Sequence, residues 1–206
     1  MEVIKKCRFV GGVTKITYLC TVNNSYNKMN NVKMKMSQDQ LFKYLNEHDV
    51  KLSRLAEQMG ISLTAVSAYF RHLPNMHGNP RTFSVDNIKK LNDAIHCFSQ
   101  ELRVCLLHFG TDKMYTNKHG RTYDPGMIEA INRLGKYINT TALISRLLGW
   151  NKSKKKNVFC APTNKNYGNI SKDDVDALNV EIMSVAGFLE SVEVVPDANA
   201  FGDGAK

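Results

Sequence analysis

The chain has 206 residues, 43% of them hydrophobic, which is enough for one medium domain or two small ones around a packed core. No run of roughly 18 apolar residues occurs and the apolar stretches near the start are too broken for a signal peptide, so the expected setting is cytoplasmic with no membrane span. Five scattered cysteines, Cys7, Cys20, Cys97, Cys105 and Cys160, without a C-x-x-C pair, exclude a disulfide framework or a zinc knuckle.

The net charge of +9 is unevenly placed. Residues 1–36 carry seven Lys/Arg against one acid, residues 37–110 eight against seven, residues 111–170 eleven against three, and residues 171–206 two against eight. A basic arm and a basic central block are what a polyanion-binding surface requires.

Residues 1–36 show a short β-type run at 13–22 and then the polar stretch NNSYNKMNN. Met29, Met34 and Met36 cluster before the first helix signal, so residues 1–28 are expected to be a disordered basic arm or an overlong reading of the gene. The intact mass of natively expressed protein distinguishes the two. Ser37 and Gln40 are spaced as a capping box, with Leu41, Phe42 and Leu45 on one face of a helix over 38–47. KLSRLAEQMGISLTAVSAYFRHL supplies two short helices around Gly60-Ile61, and HLPNMHGNPRTF reads as a loop. Ser84 caps a longer helix with Val85, Ile88, Leu91, Ile95, Phe98, Leu102 and Leu106 at spacings of three and four. Residues 109–126 form a connector in which MYT and RTY flank the turn NKHG, a pattern with room for a small hairpin. The order of signals then repeats. Met127, Ile128, Ile131 and Leu134 mark a helix, TTALISRLLGW a second, a Lys-rich segment a third, CAPTNKNYGNI a loop, and Ser171 opens a last helix with Val175, Leu178, Ile182, Val185 and Leu189.

The stretch 52–71 meets several steric requirements together. Ala56 is a small residue where two helices would cross. Gly60, four later, suits a turn needing positive φ, and Leu55, Met59, Ile61, Val66 and Tyr69 would pin both helices to a core. LSRLAEQMGISLTAVSAYF thus resembles the helix-turn-helix superfamily shared by Cro and other phage repressors, and the weaker likeness extends over residues 37–102, about a third of the chain. The resemblance implies that the second helix enters the major groove of double-stranded DNA. It puts Ser62, Leu63, Thr64, Ala65, Ser67 and Ala68 at outward or leading positions and Arg71 near the phosphate backbone. These residues are mainly hydroxyls and methyls, where Arg, Gln, Asn and Lys are usual, so base discrimination by this unit is expected to be modest.

The second unit departs further. Gly149 keeps the turn, Ser145 stands where the alanine stood, and Lys155 falls in the register of Val66, which implies a segment shifted, shortened or not helical. Lys152, Lys154, Lys155 and Lys156 are candidate phosphate contacts, with Asn151 and Ser153 the candidate base readers. Trp150, and the rings of Tyr69, Phe70, Phe83, Tyr115, Tyr123 and Phe159, are read as packing residues rather than as stacking platforms.

No phosphate-loop, nucleophile-elbow or zinc-protease motif is present, so no catalytic residue, metal or cofactor is expected. The expectation is an all-α protein of two tandem helix-turn-helix-like units, 37–108 and 127–192, with a disordered acidic tail from 193 to 206. It would bind double-stranded DNA as a transcriptional regulator or maintenance factor of a bacterium or phage, and a homodimer is compatible with it. Two rivals stand beside this: a protein-interaction or assembly module on a tri-helical scaffold, and a metal-dependent nucleic-acid enzyme using Asp112, Asp124 and Glu129.

Overall fold

The computed structural model describes residues 33–108 and 114–196. The described chain is mainly α-helical. Strand β1 (Met34–Met36) leads into α1 (Gln38–Glu47), α2 (Leu52–Met59), α3 (Leu63–Phe70) and α4 (Val85–Arg103). A small hairpin of β2 (Tyr115–Thr116) and β3 (Thr122–Tyr123) precedes α5 (Pro125–Leu134), α6 (Thr140–Leu148), α7 (Lys152–Phe159) and α8 (Lys172–Ser191), and β4 (Val192–Val194) follows. No described helix is long and apolar enough to cross a membrane.

Helix starts follow the side-chain caps. Ser37 Oγ accepts from the Gln40 N–H while Gln40 closes the reciprocal half of the capping box. Ser84 and Ser171 cap α4 and α8 through their hydroxyls alone, accepting from the Asn87 and Asp174 N–H groups. The expected acidic tail starts too early: Glu193 and Val194 lie in β4, which pairs in parallel with β1, Met36 opposite Val194. The alternation Val192-Glu193-Val194, buried, exposed and buried, is the strand signal inside that segment. The β-type run at 13–22, Asp112 and residues 197–206 lie outside the described residues.

Helices α1–α4 and α5–α8 have the same order, yet they share one core instead of each enclosing its own. Leu41, Leu55, Leu91 and Phe98 of the first half belong to the same buried cluster as Leu134, Leu143, Leu178 and Ile182 of the second. Tyr44 of α1 stacks on Phe188 of α8 at 3.6 Å between ring centroids, and Phe98 of α4 meets Tyr137 edge-on at 5.5 Å.

The junction is reciprocal in its hydrogen bonds. Val50, just before α2, bridges Ile138, just before α6. The Lys51 N–H donates to the Tyr137 carbonyl and the Asn139 N–H to the Asp49 carbonyl, both at 2.8 Å. A second reciprocal pair ties each long helix to the chain just beyond the end of the other. Asn179 on α8 brackets the backbone of Leu107, accepting from its N–H at 2.8 Å and donating to its carbonyl at 2.7 Å. Asn92 on α4 does the same to Val194, at 2.8 and 2.9 Å. The register that aligns the caps Ser84 and Ser171 also aligns Asn92 with Asn179 and Leu107 with Val194. Both clamped backbones are buried, so each amide satisfies a donor and an acceptor that water cannot reach.

Candidate nucleic-acid interface

Helix α2 ends at Gly60 in the left-handed conformation, φ 69°, and the Ile61 N–H returns to the Ala56 carbonyl. Ala56 is 2% exposed, which lets the following chain cross closely. Ser62 then caps α3, its Oγ accepting from the Ala65 N–H at 3.1 Å. Val66 and Phe70 point inward, with the Phe70 ring stacked on Phe42 at 5.2 Å and edge-on to Phe83 at 5.0 Å.

The outer surface of α3 presents Ser62, Leu63, Thr64 and, at its end, Arg71, all exposed. Ala65 and Ser67 are half-buried. Ala68 does not belong to the outer surface: it is 4% exposed. The chain leaving α3 folds back over this turn, with the Leu73 N–H on the Ala68 carbonyl, and Gln38 Nε2 donates to the neighbouring Tyr69 carbonyl at 3.2 Å.

The second half repeats this backbone with other chemistry. Gly149 ends α6 at φ 64°, and Asn151 caps α7, its Oδ1 accepting from the Lys154 N–H at 2.7 Å. Counted back from the turn glycine, Ile144 of α6 is buried as Leu55 of α2 is, but Ser145, in the place of the buried Ala56, is exposed. Trp150 is buried and lies nearly parallel to Phe159, 6.0 Å between centroids.

The Lys-rich segment is helical, unshifted and as long as α3, eight residues. Lys155 sits in the register of Val66 and resolves the conflict by reaching sideways. Its stem is half-buried, and its Nζ donates to Thr140 Oγ1 at 3.0 Å and Thr141 Oγ1 at 2.7 Å, at the start of α6. Burial, with Lys51 adding like-charge repulsion, holds its pKa below the ordinary lysine value. The outward side chains are Asn151, Lys152, Ser153, Lys154 and Lys156. Lys154 lies over the Trp150 ring, 4.1 Å from its centroid.

Acid pairing separates scaffold cations from surface cations. Arg54 pairs with Glu57 and Glu101, Arg103 with Glu190, Arg133 with Glu129, and Arg146 with Asp49 and Glu181. Burial alone would raise the Glu181 pKa, but hydrogen bonds from His48 at 2.7 Å and Arg146 at 2.9 Å outweigh it and hold the carboxyl below its ordinary value. Lys152, Lys154 and Lys156 pair with no carboxylate among the described residues. Glu181 and Glu190 of α8 thus pair with Arg146 and Arg103, while these three α7 lysines face outward with no carboxylate partner among the described residues.

The sequence reading placed NKHG in a turn and HLPNMHGNPRTF in a loop but missed that the two are alike. Asn75-Met76-His77-Gly78-Asn79 and Asn117-Lys118-His119-Gly120-Arg121 make the same turn. In each, the asparagine Oδ1 accepts from the N–H groups two and four residues on, at 2.8 and 3.1 Å in the first and 2.9 and 3.1 Å in the second, and the glycine has φ of 79° and 70°. The first tip follows α3 in the chain. The second precedes α5, yet Asn117 Nδ2 donates at 2.8 Å to the Pro162 carbonyl just beyond α7, and Tyr123 packs on Tyr167. Both tips thus stand beside the end of the corresponding short helix, with His77, Lys118 and His119 exposed. The recurrence of N-x-H-G was the signal available for them; the Asn92 and Asn179 clamps left none.

No protein-family model, curated protein or solved structure matches this chain.

Of the residues considered for catalysis, Asp124 caps α5 and is buried, its Oδ1 accepting from the Gly126 N–H at 2.8 Å. Glu129 pairs with Arg133 on the outer surface of α5.

Proposed function

We propose that the protein is a sequence-specific binder of double-stranded DNA, a transcriptional regulator or DNA-maintenance factor, with α2–α3 and α6–α7 acting as two helix-turn-helix elements. The observation that carries this reading is the twice-built arrangement of a helix, a left-handed glycine and a capped eight-residue helix whose outer surface is exposed among the described residues. In α3 that surface holds hydroxyls and a methyl-bearing leucine, groups that hydrogen-bond base edges or contact thymine methyls. In α7 it holds three lysines that pair with no carboxylate among the described residues, groups that neutralise phosphates without reading sequence.

Selection from a random duplex pool across a salt series, using the full chain, tests the assignment. A defined motif should survive physiological salt. Thr64→Ala and Ser67→Ala should change that motif. Lys152→Ala and Lys156→Ala should weaken all sequences alike and flatten the log–log salt dependence by about one unit per lost phosphate contact. No retention, or motif-free binding that vanishes as salt rises, overturns the reading and favours a protein-interaction scaffold.

A further inference from the structure

The two halves meet through reciprocal contacts, Lys51 with Tyr137 and Asn139 with Asp49, then Asn92 with Val194 and Asn179 with Leu107, and the charged pairs between them are fitted to opposite halves and not to copies. Arg103 and Glu190 occupy equivalent places on α4 and α8 and pair with each other. Two first halves brought together in this way would oppose Arg with Arg, and two second halves Glu with Glu. Asp49 of the first half pairs with Arg146 of the second, and His48 with Glu181. The reciprocal backbone bonds at Lys51 and Asn139, and the twin clamps of Asn92 and Asn179, complete a junction whose buried surfaces are already covered within one chain.

Dimeric DNA-binding proteins place two identical reading helices about a two-fold axis and so require a palindromic site, with half-sites about one helical turn apart. Here the two corresponding halves lie in one chain, and α3, with Ser62, Leu63, Thr64 and Arg71 outward, is the counterpart of α7, with Lys152, Lys154 and Lys156 outward. Symmetry of backbone is combined with asymmetry of reading surface. The twin N-x-H-G tips extend both ends alike, although they come from non-equivalent positions in the chain. A hairpin recruited from the segment before α5 to the place beside α7 supplies the second half with the tip that its own 160–171 loop lacks.

We infer that one copy of the chain occupies a two-half, non-palindromic duplex site in a fixed orientation, with α3 setting the base preference of one half and α7 with the Lys118-His119 tip gripping the phosphates of the other. The inference rests on the DNA-binding reading above. The energetic expectation is that the second half adds affinity and salt dependence without adding motif length.

The test uses the full chain and a duplex recovered from the random pool, flanked by two helical turns on each side. Sedimentation of the complex should give one chain per duplex. Hydroxyl-radical footprinting should show protection reaching about one helical turn (~10 base pairs) beyond the motif on one side only. Lys152→Ala with Lys156→Ala should remove that flanking protection and leave the motif unchanged. Two chains on a palindromic motif, or protection confined to the motif, overturns the internal pairing and leaves DNA binding standing. Absence of binding to every duplex in the pool overturns both.

Discussion

Helices α3 and α7 share length, a side-chain cap and register, and one of the inward positions at which they differ explains how the fold carries two chemistries. In α3 that position is Val66, wholly buried. In α7 it is Lys155, and the difference is matched one helix earlier: α2 begins with Leu52-Ser53, whereas α6 begins with Thr140-Thr141, whose hydroxyls receive the ammonium. A lysine becomes tolerable in a core register when its stem fills the apolar space and its head finds acceptors. The pairing of Lys155 with two threonines is therefore a local compensation, and it frees the other lysines of α7 to face outward.

The sharpest way to break this comparison is to place the second half's residue in the first. Val66→Lys puts an ammonium where no hydroxyl pair waits, and the expected loss is about 3–5 kcal/mol in urea denaturation. A loss under about 1 kcal/mol would show that α3 can tilt to expose the side chain and that the threonines are incidental.

The reciprocal clamps come next. Asn92→Ala and Asn179→Ala each leave a buried N–H and carbonyl without partners, on Val194 and Leu107 respectively. Each should cost about 2–3 kcal/mol, and the two losses should agree within about 0.5 kcal/mol if the halves are joined symmetrically. A large effect from one and none from the other would break the equivalence of the two ends.

These comparisons also mark what was legible in the sequence. Local rules carried far: serines at the starts of α1, α4 and α8, glycines after α2 and α6, and apolar spacing along α4 and α8 placed those helices, because caps and periodicity act within a few residues. Of the positions expected to face outward on α3, Ser62, Leu63, Thr64 and Arg71 are exposed, Ala65 and Ser67 half-buried, and Ala68 buried, because its burial depends on a chain reversal beyond the helix end. Lys155 misled because a core register was assumed to need an apolar head. The joining of the halves was invisible, since Asn92 and Asn179 resemble any polar residue on an amphipathic helix until the segments they clamp are brought to them from far along the chain.

The smallest expected effect is the most discriminating for α7. Lys155→Met keeps the stem and removes the head, so stability at neutral pH should change by less than about 1 kcal/mol, the lost threonine bonds being offset by relief of a partly desolvated charge. The pH dependence gives the sign. A lysine whose folded pKa lies below its unfolded value of 10.5 binds fewer protons when folded, so the native protein gains stability as pH rises through that window, and Lys155→Met should lose this gain. On DNA, Lys156→Ala should lower the salt slope by about one, while Lys155→Met should leave it unchanged. A drop of one unit from Lys155→Met would mean that the ammonium leaves Thr140 and Thr141 for a phosphate on binding, and α7 would then grip the backbone with its inner face as well as its outer one.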